Sequence, residues 1–465
     1  MKTHKLITKK KLSILLLALL IIGCGKNYLD IKPDQSQRVP ISISDFQAMM
    51  DNTSVMNSFS SHALGLIGAD EYFVADVQYD LFPAEADANA MKRAYSWNQI
   101  IYIGGEQSTD WSRGYSRILQ TNVVLDGLKK IEQYSNDPTF KQVKGEALFH
   151  RALNFYNLAQ IFCTPYNLET LNSDLGLPLR LEADVTIKTP RSTLSETYSR
   201  IISDLNEATS LLPDLSTVAF RPSRVAALSL LAKVYLNIGD FKRSGEYATE
   251  ALKIKQTLID FNGLNLSATF PFPSDGTLNS EIIFSSSTAN VFPILPSFMN
   301  IDAELLASYQ PNDLRTEAYL YSLGGRLIFT GSYSGNANPF TGIATDELWL
   351  IRAECYARTG NIQNALNDLN HLSRNRYNKD SFVPFEVNNQ LELIRLILSE
   401  RRKELLLRGN RWEDLRRLNK DPQFAKKLTR NLKGVIYELA PNNQRYTWPI
   451  PLEAIIAGGY VQNPR

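Results

Sequence analysis

Two short stretches near the C-terminal end concentrate the side chains able to do chemistry. Residues 390–418 read QLELIRLILSERRKELLLRGNRWEDLRRL. Glu400, Arg401, Arg402 and Glu404 fall within about one helical turn of each other, and so do Glu413, Asp414, Arg416 and Arg417. Paired carboxylates facing a cleft can donate and accept protons at a glycosidic bond. Carboxylates set among guanidinium groups make ion pairs instead, because the arginine fork matches a carboxylate. The spacing favours the second reading, a network that fixes a helix corner. No feature isolates a carboxylate in a cleft, which catalysis would need.

Other reactive residues are sparse. The four histidines, His4, His62, His150 and His371, lack the spacing of metal ligands. Cys163 and Cys355 sit inside apolar helical patterns, where a lone cysteine is usually a small buried hydrophobe. One long-range bridge between them stays open. No metal or cofactor is expected.

Cys24 stands apart. It follows Gly23 and an apolar run from Ile14 to Ile22, itself preceded by Lys2, Lys5, Lys9, Lys10 and Lys11. A basic start, a short apolar stretch and a small residue before cysteine read as a lipoprotein export signal, too short to span a bilayer. Residues 1–23 are the expected signal peptide, Cys24 the lipidated first residue, and 24–40 a polar, turn-forming tether. Removing 1–23 takes five lysines and no acids, so 50 cations against 48 acids become 45 against 48, and the net charge turns from +2 to −3. Nothing remains to suggest a nucleic-acid partner. No other apolar run is long enough to cross a membrane.

The elements that must position these residues are mostly helices. The pattern over 41–80 is helical but broken. Residues 111–134 and Val143–Phe162 carry apolar residues at helical spacing, the latter ending at Pro165. A further helix opens at Ser192 or Thr193, and Thr193 with Glu196 has capping-box spacing. A pair follows: Val225 to Ile238, a turn at Gly239-Asp240, and Phe241 to about Lys255. It recurs further on. Ala232, Tyr235, Gly239, Asp240 and Phe241 align with Ala353, Tyr356, Gly360, Asn361 and Ile362. Small, aromatic, then glycine at a helix end is a tetratricopeptide-like arrangement. The stretch from about 260 to 343 is different. It is rich in Asn, Ser, Gly, Pro and Phe, with strand-like Glu281–Phe284 and Arg326–Phe329 and a helical start at Asp302–Tyr309. In the 390–418 block, one helix is expected to end near Arg408 with Gly409 as its stop.

The expected fold class is therefore mostly α: a tetratricopeptide-like helix-turn-helix scaffold with an irregular, loop-rich insert containing short strands. The expected organisation is an N-terminal helical region over 41–260, the insert over 261–343 as candidate ligand face, and a C-terminal helical region over 344–465 completing the same domain.

The C-terminal block also resembles something specific. Glu400-Arg401-Arg402, Glu404-Leu405, Arg408-Gly409, Arg411-Trp412 and Asp414-Leu415-Arg416 are similar to the signature of the SusD/RagB family of nutrient-uptake lipoproteins of Bacteroidetes. Cys24 with Tyr28-Leu29-Asp30 and Pro33 resembles that family's mature start. Residues 145–162, the helix from Ser192, Glu281–Phe284, Asp313 with Arg315, Trp448-Pro449-Ile450-Pro451 and Gln462-Asn463-Pro464 resemble further marks in the family's order. Arg408 stands where the family commonly has an acid.

The resemblance implies an outer-membrane, outward-facing lipoprotein without enzymatic activity. Such a protein captures an oligosaccharide or a peptide and delivers it to a SusC-like TonB-dependent barrel. The rival expectations are a lipoprotein hydrolase acting on glycans and a structural lid with no ligand of its own. Sugar rings stack on aromatic faces while amides take hydroxyls. Trp97, in Tyr95-Ser96-Trp97-Asn98-Gln99, is the first candidate contact because similar family segments carry one, and Asn98 is the second. In the insert, Tyr319, Tyr321, Phe329 and Tyr333 are candidates. Trp111, Trp349, Trp412 and Trp448 are assigned to packing.

Overall fold

Most of the long helices begin at a side chain that satisfies a free amide. The computed structural model describes residues 39–273, 278–288 and 291–465. The expected signal peptide, Cys24 and nearly all of the tether lie outside the described residues.

Thr109–Lys129 (α1) is capped by the Ser108 hydroxyl, which accepts from the Trp111 amide. Pro138–Phe162 (α2) has Asp137 as cap and proline in its first turn, where no amide is lost. Leu194–Leu211 (α3) uses Thr193, not Ser192, and both halves of the Thr193–Glu196 capping box are present. Arg224–Ile238 (α4) and Phe241–Ile254 (α5) form the first repeat pair, Thr345–Arg358 (α6) and Ile362–Arg374 (α7) the second. At the corresponding turns, Gly239 has φ +85° and Gly360 φ +83°, left-handed values that a β-carbon disfavours. Asp240 and Asn361 then cap the second helix of each pair. Nothing lies within 4 Å of a β-carbon built at either glycine, so the strain is purely conformational. Gly239→Ala and Gly360→Ala should each lower unfolding free energy by about 1–2 kcal/mol, equally at both turns, as read by urea denaturation.

The helices pack in chain order: α1 on α2, α2 on α3, α3 on α4, α4 on α5, α5 on α6, and α6 on both α7 and Gln390–Glu404 (α8). The result is a stacked array with a continuous core over Ile43–Arg465. Where α5 meets α6, a β-carbon on Gly245 would lie 3.2 Å from Cys355 Cβ, so the two helices approach closely at two small residues. Cys163 and Cys355 are both free and buried, and burial pushes their thiols up to about 11 and about 12, away from reactivity. Among the described residues, no group of His, Cys, Asp and Glu could hold a metal ion, and no helix is long and apolar enough to cross a membrane.

The helix expected to run to Arg408 ends at Glu404. Leu407 adopts φ +54°, its amide is taken by the Glu71 carboxylate at 2.9 Å, and Gly409 at φ +83° opens Asn410–Leu418 (α9). Long-range capture of that amide breaks the helix one turn early.

Tyr72–Phe73 (β1) pairs antiparallel with Asn300–Ile301 (β2). Leu320–Leu323 (β3) and Arg326–Phe329 (β4) form a hairpin, and β4 runs beside β2. Ile282–Phe284 pairs with Ile343–Ala344, closing the two ends of the insert on each other. The C-terminal region contains a hairpin that the helical reading passed over: Leu428–Leu432 (β5) and Val435–Leu439 (β6), turning at Lys433-Gly434 with φ +51° and +78°. Leu428, Arg430 and Leu432 point inward and Thr429 and Asn431 outward, the alternation of a half-buried strand.

Candidate ligand face and the buried charge network

The signature block folds into a network of ion pairs. Arg315 sits at its centre, fully buried. Its Nη2 meets Asp313 at 2.6 Å and Glu400 at 2.5 Å, and its Nη1 meets Glu404 at 3.2 Å. Glu404 turns its other oxygen to Arg376 at 2.7 Å, and Arg376 also holds Glu281 at 2.8 Å. Arg401 joins Asp414 and Glu347, and Arg417 joins Asp414 and Glu354. Arg402 and Arg411 converge on Asp70. Burial alone raises each carboxyl. At Glu404 the guanidinium groups of Arg376 and Arg315 outweigh burial and hold it below the usual carboxylate range. Asp313 and Glu354 are lowered in the same way by their arginines.

Arg408, unusual for the family pattern, finds its own acid. It pairs with buried Asp346 and lies 5.0 Å from the ring centres of Tyr333 and Phe340. Asp346 shifts the other way, as does buried Glu413. Burial pushes Asp346 up against the pull of Arg408, with Glu281 and Glu404 adding to the rise. It is sealed from solvent and offers no approach to a substrate. A set of acids that are paired, buried and closed off cannot reach a glycosidic oxygen.

Four of the expected ligand contacts, Trp97, Tyr319, Phe329 and Tyr333, are buried. Trp97 is 1% exposed. It stands at φ +48°, its indole nitrogen donates to the Gly68 carbonyl at 3.0 Å, and the Arg430 guanidinium covers its ring at 4.3 Å. Arg430 is itself fixed on the carbonyls of Ile67, Ala69 and Tyr95. Tyr319 stacks on Phe272 and meets Phe261 edge-on, and Tyr333 donates to Glu281 at 2.7 Å. Phe329 is buried as well. These rings have no free face. Their aromatic character was legible in sequence; the arginine and phenylalanine that cover them come from distant segments.

Two candidates stay open. Tyr321, 54% exposed, stands on β3 opposite Ile328. Asn98 is exposed on the loop after Trp97, its side-chain oxygen accepting from the Ile100 amide at 3.2 Å. Exposed Phe73, Leu323 and Leu327 belong to the same set of strands as Tyr321. No hydrogen bond or ring contact among the described residues joins Asn98 to Tyr321. Trp97→Ala should therefore act as a core truncation and lower stability by about 3 kcal/mol. Tyr321→Ala should leave the melting midpoint essentially unchanged and weaken ligand roughly tenfold, the size of one lost aromatic contact. Thermal melts run beside ligand titrations separate the two.

One opening was not expected from sequence. A cleft of about 480 Å³ is lined by Trp111, Tyr115 and Tyr460, with Arg180 and Glu182 at its side. The Trp111 and Tyr115 ring centres lie 4.7 Å apart, and Tyr460 is 6.3 Å from Trp111. Helical spacing put Trp111 and Tyr115 on one face. Only the fold brings Tyr460 there from the far end of the chain.

Comparison with known proteins agrees with this architecture. The family model described as "Starch-binding associating with outer membrane" matches residues 27–236, and the SusD family model matches 330–465. SusD-like protein P38 of Formosa agariphila is 23% identical, covering 88% of this chain and 90% of that protein. SusD-like protein P2 of the same organism is 32% identical over 31% of this chain and 26% of its own length. Among solved structures, a SusD superfamily protein of Bacteroides thetaiotaomicron superposes with TM-score 0.71 at 22% identity, covering 91% of this chain and 100% of that one. A SusD-like carbohydrate binding protein of Bacteroides vulgatus gives TM-score 0.66 at 17% identity, covering 90% and 98%. At those identities the structures share the fold. The two family models between them take in both the N-terminal helices and the arginine-rich signature, and on that ground the chain belongs to the SusD/RagB family, whose membership implies carbohydrate binding for nutrient uptake at the outer membrane.

Proposed function

We propose that this protein is an outward-facing outer-membrane lipoprotein that captures an oligosaccharide and hands it to a SusC-like TonB-dependent barrel, acting as its lid. The observation that carries the reading is the pairing of family membership with a signature block whose acids Glu400, Glu404 and Asp414 are spent on guanidinium groups, while buried Glu413 meets Tyr156, Asn237 and Lys233. A binding lid needs a rigid scaffold and open aromatic faces, not a free carboxylate pair. The helical stack supplies the first; Tyr321 and the Trp111 cleft offer places for the second, and the exposed Asn98 amide offers hydrogen bonds to hydroxyls. The lipid on Cys24 would hold the lid beside the barrel. The insert over 261–343 contributes the hairpin on the ligand face, and the stacked helices contact the barrel.

The partner is tested by tagging the full chain and isolating it from solubilised outer membranes. A barrel protein recovered in near-equal amount supports the lid. Recovery without any barrel contradicts it.

A further inference from the structure

A buried arginine normally spends its donors on carboxylates or carbonyls, because donors left unpaired away from water bear the full desolvation cost. Two buried arginines here that lack a carboxylate obey this. Arg117 donates to the carbonyls of Val55, Ser58 and Phe59, and Arg430 to those of Ile67, Ala69 and Tyr95. Arg416 does not. It is 3% exposed, its Nη2 donates to the Cys163 carbonyl, and its Nε and Nη1 have no partner among the described residues. Burial pushes its guanidinium below the ordinary value.

Arg416 lines a cleft of about 720 Å³, enclosed by the chain leaving α2, the end of α9 and the turn after β6. The Thr164 hydroxyl of that lining is also buried without a partner, and the Tyr446 hydroxyl and the Asn419 side chain face each other there. Lys420, also in the lining, is pushed down to about 8 by burial and then by Arg416 and Arg417. Two acids also line the cleft, Glu169 and Asp174, the latter accepting from the Thr170 hydroxyl at 2.7 Å.

We propose that this cleft receives the carboxylate of an acidic oligosaccharide, with Arg416 as its counter-ion. The proposal rests on the oligosaccharide-capture reading above and narrows it to sugars carrying an acid. A carboxylate supplies the two acceptors that Nε and Nη1 lack, and sugar hydroxyls pair with Thr164, Asn419 and Tyr446. Nε and Nη1 are closed to solvent. The guanidinium therefore turns toward the cleft as the carboxylate arrives. A neutral sugar satisfies the hydroxyl partners but leaves the cation unpaired, so the acid is preferred.

The test is calorimetric titration of the full chain in detergent with galacturonate trimer, galactose trimer, and alanine tripeptide with a free or an amidated C-terminus. The expected result is that galacturonate trimer binds roughly tenfold or more tightly than galactose trimer, because a charged pair makes the stronger hydrogen bonds. Arg416→Gln should abolish that difference. Thr164→Val removes a hydroxyl with no partner to lose, so it should weaken galacturonate several-fold without moving the melting midpoint. Equal affinity for the two trimers overturns the proposal, as does a folded Arg416→Gln that keeps the difference. If Arg416→Gln does not fold, unchanged galacturonate affinity in Thr164→Val overturns it. Tighter binding of the free tripeptide than of galacturonate moves the carboxylate site to peptides and overturns the acidic sugar. Galactose trimer bound without galacturonate removes this site and leaves oligosaccharide capture standing; no saccharide bound at all removes both.

Discussion

Glu404→Gln is expected to lower the unfolding free energy by about 5 kcal/mol, the upper end for breaking a buried ion pair from one side. The carboxylate accepts from Arg376 at 2.7 Å and from Arg315 at 3.2 Å, and all three side chains are buried. The glutamine amide keeps the volume and part of the hydrogen bonding but removes the charge. Two guanidinium groups then share less negative charge in a site that water cannot reach. Asp313 and Glu400 still serve Arg315, and Glu281 still serves Arg376, which keeps the loss from doubling. The control is the exposed pair of Lys427 and Glu438 at 2.8 Å on the C-terminal hairpin, where Glu438→Gln should cost under about 1 kcal/mol because solvent screens it. Urea midpoints at matched slope measure both. Equal small losses would mean that the network is a bystander to folding.

The second large effect concerns place. Cys24→Ser should leave ligand affinity unchanged and lower uptake roughly tenfold or more, because a tether holds its partner at millimolar effective concentration. Each buried methylene of a lipid contributes about 0.8 kcal/mol, and one chain alone holds only marginally, so several chains on one cysteine are needed for firm attachment. Serine at that position accepts no thioether-linked lipid. Affinity should survive because residues 43–465 pack as their own unit. Uptake by cells carrying the variant, beside titration of the purified protein, reads both quantities. Normal uptake would reduce the lipid to simple anchorage.

How much of this was legible in sequence depends on how local the cause was. The two repeat turns were, because glycine and the following cap are local signals that act on their own backbone. Thr193 with Glu196 was legible for the same reason. The ion-pair character of the 400–417 block was legible from spacing, but its partners were not: Arg315, Arg376, Glu281, Asp346 and Glu347 come from other elements. The early end of α8 was hidden because Glu71 acts from across the fold. The C-terminal hairpin was written in the alternation of Leu428, Arg430 and Leu432, with an inward arginine that masked it. The ligand face was least legible. Whether an aromatic ring is open depends on what covers it, and Trp97 is covered by an arginine from that same hairpin.

The central claim, capture without cleavage, is tested most directly by incubating the full chain with end-labelled oligosaccharides, acidic and neutral, and following both retention and chain length. The account predicts that labelled sugar is retained on the protein and recovered at its original length. Shortened sugar appearing with time would contradict it and make the protein a hydrolase. Failure to retain any sugar would contradict it in the other direction, leaving a structural lid without a ligand.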